Sequence, residues 1–86
     1  MKPETSEKLR KAFNAKDEAE ALLARCFASD LETVTGDHPI PHVQEVIRYK
    51  LRDGTSPTFA RASLQESART LTATAKLLKE IAKEVE

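Results

Sequence analysis

The last third of the chain carries a leucine or valine at every seventh position. Leu64, Leu71, Leu78 and Val85 form this row and take position a when the pattern is written as heptads. Apolar residues repeated in this way over three to four heptads are typical of a helix that packs as in a coiled coil. The pattern predicts a helix from residue 57 to about residue 85. The alternative is an ordinary bundle helix that packs on the first helix of the chain.

Small residues accompany the leucines at position d, where Ala60, Ser67 and Thr74 precede Ile81. Small side chains let a neighbouring backbone approach closely, within the usual 8–10 Å between helix axes. Serine and threonine are also poor helix formers by themselves, so packing against another helix is expected to stabilise this one. The predicted surface for self-association or partner binding comprises Leu64, Ser67, Leu71, Thr74, Leu78 and Val85.

Two glycine–proline pairs divide the rest of the chain. Glycine occurs only at positions 36 and 54, and proline follows three residues later at 39 and 57. Because glycine often ends a helix and proline often begins the next, the spacing predicts three helices, at about 4–35, 41–53 and 57–85. Asp17 and Glu20 resemble a capping box that could break the first helix near Asn14–Asp17. We expect a continuous helix, because neither glycine nor proline interrupts it.

Both of the other helices are assigned from apolar residues three and four positions apart. The first has Leu9, Phe13, Leu23, Phe27, Leu31 and Val34, and the second has Ile40, Val43, Val46, Ile47 and Leu51. No strand is predicted, since we find no sustained alternation of apolar and polar residues rich in β-branched side chains.

The predicted fold is therefore all-α: a single domain over residues 1–86 with a long, a short and a long helix. A chain of 86 residues buries a modest core and is marginal as a lone monomer. Antiparallel pairing of two chains into a four-helix core would cover the remaining apolar edge, so we expect a helical bundle completed by homodimerisation.

The cysteine content and the lack of long apolar runs predict a cytoplasmic protein without a membrane segment. The single cysteine, Cys26, suits a reducing compartment and a place in the core. Fourteen basic and fourteen acidic residues balance, which argues against a dedicated nucleic-acid binder. The polar N-terminus lacks the apolar run of a signal peptide, and nothing approaches the roughly 20 apolar residues that span a bilayer.

Candidate chemistry is sparse. Asp37, His38 and His42 could offer three metal ligands, but two prolines separate the histidines, structural zinc takes four ligands and Cys26 is distant in sequence. The segment is more simply a polar loop. The chain also lacks phosphate-loop, serine-hydrolase, zinc-protease and Cys-x-x-Cys motifs. We therefore expect no enzymatic activity and no metal or other cofactor.

The leading functional hypothesis is a small regulatory protein that binds, and inhibits, a protein partner of unknown identity through helical surfaces. Tyr49 and Phe59 are candidate anchors, because aromatic residues dominate interface hot spots. The alternative is a DNA-binding regulator, with residues 43–65 as a helix-turn-helix. Its acidic neighbour Glu66 and its long second helix speak against it. The candidate nucleic-acid contacts are Arg48, Lys50, Arg52 and Arg61.

Overall fold

Two long helices enclose a two-stranded β-hairpin in the chain order helix, strand, strand, helix. The computed structural model describes residues 1–36, 39–40 and 42–85, without the side chain of residue 42. The elements are α1 (Pro3–Cys26), β1 (Phe27–Gly36), β2 (His42–Leu51) and α2 (Pro57–Glu84). The fold class is therefore α+β.

The prediction of an all-α, three-helix bundle is wrong. The first helix is continuous through residues 14–17 but ends at Cys26, and the expected short helix over residues 41–53 is replaced by strand β2. In segments this short the apolar pattern does not separate a helix from a strand, because a spacing of four residues keeps side chains on one face of either element. Valine, isoleucine and threonine are frequent there, and they lose side-chain freedom in a helix but fit a pleated surface.

A strand signal was present in the second strand. Ile47, Tyr49 and Leu51 alternate strictly with Arg48 and Lys50, so the expectation that no such alternation occurs is also wrong. The two strands pair antiparallel without a break, from Phe27 opposite Leu51 to Gly36 opposite His42. Each strand therefore has its backbone N–H and C=O groups hydrogen-bonded to the other strand along one edge only.

The start of α2 agrees with the sequence signals. The helix begins at Pro57, and the Ser56 hydroxyl accepts a hydrogen bond from the backbone N–H of Phe59 at 3.1 Å. Gly54 has a φ of +84°, a conformation that side-chain-bearing residues rarely adopt, and it makes the turn between β2 and the helix. Ser56 therefore caps α2, and Pro57 begins the helix at the predicted position.

The core is a narrow seam of small side chains between α1 and α2. In both helices a row of buried residues recurs every seven positions, and Ser63 is buried beside the row on α2, so the two rows run along each other. The row on α1 consists of Thr5, Ala12, Ala19 and Cys26, and the row on α2 consists of Ala60, Ser67, Thr74 and Ile81. Position d of the heptad pattern is thus the intramolecular contact, and the larger position-a side chains lie beside it.

Hydroxyl groups in the seam are mostly satisfied locally. Thr74 Oγ1 donates to the carbonyl of Thr70 at 2.8 Å, and Cys26 Sγ donates to Ser63 Oγ at 3.4 Å. Ser67 Oγ is the buried side-chain oxygen that lacks a hydrogen-bond partner in the described part of the chain. A buried hydroxyl without a partner loses its hydration and gains nothing in return.

We therefore expect Ser67→Ala to stabilise the protein by about 1 kcal/mol, because the substitution removes that uncompensated group and leaves the seam equally narrow. Urea denaturation followed by circular dichroism at 222 nm measures the change. Ser63→Ala is the matched control, since it removes a serine that does have a partner and should be neutral or destabilising. A loss of stability in Ser67→Ala would contradict the assignment.

The free ends of the two helices are joined by a polar cluster. Lys8 Nζ forms an ion pair with Glu84 Oε1 at 2.7 Å, and Thr5 Oγ1 donates to Glu84 Oε2 at 3.2 Å. The hydrogen bond from Lys8 lowers the pKa of Glu84 below its usual 4.5 and, in return, raises the pKa of Lys8 above 10.5. Since both side chains are more than a third exposed, this pair positions the helix ends rather than stabilising the fold strongly.

Candidate protein-interaction surface

The molecule is flat. It measures 55 × 37 × 14 Å, and its radius of gyration is 18.7 Å, where a compact chain of this length has about 12 Å. Packed layers of helices or sheets lie about 10 Å apart, so 14 Å corresponds to one layer of secondary structure. Soluble domains normally consist of at least two such layers around one core. One layer therefore leaves both of its sides uncovered.

The position-a residues of α2 lie along one of these sides. Leu64, Leu71 and Leu78 of α2, together with Val85 directly after its last residue, form the leucine row and are between 42% and 56% exposed. Phe13 of α1 joins them across the seam, where it lines a shallow groove of about 180 Å³ together with Leu71 and Leu78. The structure places Ser67 and Thr74, which were predicted for the same surface, in the intramolecular seam instead. The leucines are accessible, and these two hydroxyl residues are not.

A larger apolar groove lies where the helices meet the hairpin. This junction groove has a volume of about 680 Å³ and is open to solvent. Leu64, the first residue of the leucine row, lines it from α2, and Tyr49 lines it from the hairpin. The remaining lining residues are Glu20, Leu23, Ala24, Phe27, Ser29 and Arg52.

The hairpin has two unlike faces. Residues opposite each other in the strand register share a face, and successive pairs alternate. One face, the apolar hairpin face, carries Phe27, Leu31, Val43, Ile47, Tyr49 and Leu51. The other, the charged hairpin face, carries Asp30, Glu32, Arg48 and Lys50, and also the apolar Ala28, Val34 and Val46. Because Phe27, Ser29 and Tyr49 all line the junction groove, the apolar hairpin face continues into the leucine row at Leu64.

The two aromatic candidates occupy different surroundings. Tyr49 is 71% exposed and lies on the apolar hairpin face beside the junction groove. Phe59 is 53% exposed in the first turn of α2. It precedes Leu64 by five residues, which is about 140° around a helix, so it projects away from the leucine row. The structure does not bring the two anchors together.

The basic residues do not form a helix-turn-helix, because the segment expected as its first helix is strand β2. Arg48 forms an ion pair with Glu32 across the hairpin, and Lys50 Nζ lies 3.9 Å from Asp30 Oδ2. Arg52 Nε donates to the carbonyl of Ala24 at 2.7 Å, and the Arg52 backbone N–H donates to the carbonyl of Cys26 at 2.8 Å. Three of the four candidate nucleic-acid contacts are therefore engaged within the chain.

Arg61, the fourth candidate, is exposed on α2. The possible metal ligands Asp37 and His38 lie outside the described residues, as does the side chain of His42. Among the residues that are described, no group of three histidine, cysteine or acidic side chains is arranged to hold a metal ion. Neither α1 nor α2 contains a stretch apolar and long enough to cross a bilayer.

Comparison with known proteins gives no relative from which a role for this surface could be inferred. No protein-family model matches the chain, and neither the curated proteins nor the solved structures contain a match. The apolar hairpin face was missed by sequence reasoning, which had assigned Leu31, Val43 and Ile47 to helices. The alternation over residues 47–51 was the signal that could have revealed it.

Proposed function

We propose that this chain is a non-enzymatic protein-interaction module that works as a homodimer and regulates a protein partner by binding it. The observation that carries the proposal is the single layer with a continuous apolar side, formed by the leucine row, the junction groove and the apolar hairpin face. Apolar patches of this extent are uncommon on monomers and mark interaction sites.

The exposed area supports a second copy of the chain as the cover of this side. The chain exposes 6966 Å², whereas a folded monomer of this size exposes about 5,100 Å². The excess is about 1,900 Å², and a standard interface buries about 800 Å² from each partner. One copy of the same chain, packed through the same side, offers an equally apolar and equally flat surface. In a symmetric dimer the same contact therefore covers the apolar side of both chains.

Phe59 is the candidate anchor for the regulated partner, because it projects away from the leucine row and stays exposed when that row is covered. Aromatic residues in such positions contribute much of the binding energy of interfaces. Thr58, exposed next to it on the same helical turn, provides a matched control position.

The mass of the purified protein by light scattering tests self-association, with a dimer expected. Affinity capture from cell lysate with nuclease, using the unaltered chain, Phe59→Ala and Thr58→Ala, tests partner binding. We expect the unaltered chain and Thr58→Ala to capture the same protein in equal amounts. Phe59→Ala should capture at least about tenfold less of it, while all three baits remain dimeric. A monomeric mass would overturn the dimer. Capture that disappears with nuclease and salt would favour the nucleic-acid alternative instead.

A further inference from the structure

The hairpin has an apolar face that the described elements leave uncovered. Leu31, Val43, Ile47 and Tyr49 on this face are between 58% and 71% exposed. A lone two-stranded hairpin is at best marginally stable in water and needs a further strand or a packed layer. Helices α1 and α2 contact the hairpin at its base and leave most of its length open. The cover therefore comes from outside the chain.

The hairpin and the helix pair form the two arms of an L. The hairpin leaves the pair at the end where α1 stops and α2 starts. From the rise per residue, α2 is about 42 Å long and the hairpin is about 33 Å long. Placed end to end they would span about 75 Å, whereas the longest extent of the molecule is 55 Å. Arms at a right angle reach about 53 Å from tip to tip, which agrees with that extent.

Both arms carry apolar side chains on the same side of the layer. The shallow groove lined by Phe13, Leu71 and Leu78 runs along the helix arm. The junction groove, with Leu64 and Tyr49, spans the corner and leads onto the apolar hairpin face. The apolar side of the molecule is therefore itself an L, and its cover has to reach both arms.

The L shape determines which symmetric pairing covers both arms. A two-fold axis along the helices stacks helices on helices but sends the two hairpins to opposite sides. An axis across the helices makes them antiparallel and leaves the hairpins at opposite ends. An axis that lies in the interface and bisects the angle between the arms exchanges them, so each hairpin lies over the helices of the other copy.

We propose that the second copy packs crosswise, with the apolar hairpin face of each chain on the leucine row of the other. This inference rests on the proposed self-association and specifies its geometry. The two surfaces match in length, since the row from Leu64 to Val85 spans about 32 Å and the hairpin about 33 Å. A sheet packed on helices is also one of the standard two-layer architectures, which the single copy lacks.

One charged residue on each arm supports this arrangement. Glu45 is the charged residue that the strand register puts on the apolar hairpin face, and it lies about 20 Å from the hairpin base. Lys16 is the basic residue that lines the shallow groove, about 15 Å from the same corner. Exchange of the arms brings Glu45 of one copy near Lys16 of the other. Within its own chain Lys16 Nζ lies 3.5 Å from Glu20 Oε1 in an exposed pair, which holds it only weakly.

Charge reversal tests the arrangement through the dissociation constant of the dimer, measured by sedimentation velocity. Glu45→Lys and Lys16→Glu should each raise it at least about fivefold, because the dimer contains the contact twice. Combining the two should restore it to within about twofold. The matched control combines Glu45→Lys with Lys11→Glu, which has the same net charge. Lys11 is exposed and lies about 140° around α1 from Lys16, so this combination should stay weak.

A second substitution tests the covered hairpin face without using the charged pair. Ile47→Lys should raise the dissociation constant at least about tenfold, because it places a charge within the proposed contact. Gln44→Lys, on the charged hairpin face, is its control and should leave the constant unchanged. Circular dichroism of every variant checks that the fold is retained, as expected for side chains that are exposed in the single chain.

The outcomes separate this arrangement from self-association itself. A dimer in which Lys16→Glu restores no more affinity to Glu45→Lys than Lys11→Glu does would overturn the crosswise packing and leave the proposed dimer intact. Equal dissociation constants for Ile47→Lys and Gln44→Lys would have the same meaning. A monomeric mass for the unaltered chain would overturn both proposals.

Discussion

Replacement of Leu71 and Leu78 by lysine is expected to weaken dimerisation by at least about a thousandfold. Both leucines are just under half exposed in the single chain and line the groove beside Phe13. Burying the remainder of each is worth about 1 kcal/mol, so the four leucines of a dimer contribute about 4 kcal/mol. Since every 1.4 kcal/mol changes an equilibrium constant tenfold, losing them alone gives the stated effect, and desolvating four lysines adds to it.

Sedimentation velocity over a concentration series measures this change. The matched control is Ala62→Lys with Ala73→Lys, which adds the same charge to the same helix. Each alanine is exposed and lies two residues from a leucine of the row, about 200° around the helix. The control should dimerise as the unaltered chain does. Equal dissociation constants for the two double variants would show that the leucine row is not the interface.

Ala19→Leu is expected to destabilise the protein by about 3 kcal/mol. Ala19 of α1 is 3% exposed and lies in the seam, facing the row of small residues on α2. Leucine adds three carbon atoms where the backbones approach closely, so the helices must separate or the side chain must take a strained rotamer. A chain of this length has a total stability of only about 4–13 kcal/mol, so the effect is large.

The control for this substitution is Ala21→Leu on the exposed side of the same helix. Both changes keep similar helix propensity, so only the packing differs. Thermal and urea unfolding should show a large loss for Ala19→Leu and a change within about 0.5 kcal/mol for Ala21→Leu. If both variants unfolded at the same urea concentration as the unaltered chain, the seam would have to be looser than the structure shows.

Because the two helices approach closely, the small residues of α2 are not suitable positions for testing the dimer interface. Substituting leucine at Ser67 or Thr74 would disrupt the intramolecular seam, so a loss of association would report unfolding rather than the interface. The leucine row and the hairpin can be altered without touching the seam, because their side chains lie outside it.

Local sequence signals were sufficient for α2. Its heptad pattern, the Ser56 cap and Pro57 identify a helix, and the structure has one over Pro57–Glu84. The same signals failed between residues 27 and 51. Apolar spacings of three and four residues there were consistent with helices, and the decisive strand pairing joins Phe27 to Leu51, which are far apart in sequence.

The sequence by itself determined that the chain begins and ends with a long helix, and that the second of these helices has a seven-residue repeat. Both follow from sequence because capping and periodicity act over a few neighbouring residues. Tertiary structure decided which row of that repeat is buried. The Thr5–Ala12–Ala19–Cys26 row of α1 packs closely against small side chains over most of its length, so Ala60, Ser67 and Thr74 enter the seam and the leucines remain half-exposed beside it. Ile81 is the one large side chain of the α2 row, and it is buried at the end of that row. Tertiary structure also decided that residues 27–51 form a hairpin, because strand pairing is a contact between distant segments that no local pattern contains.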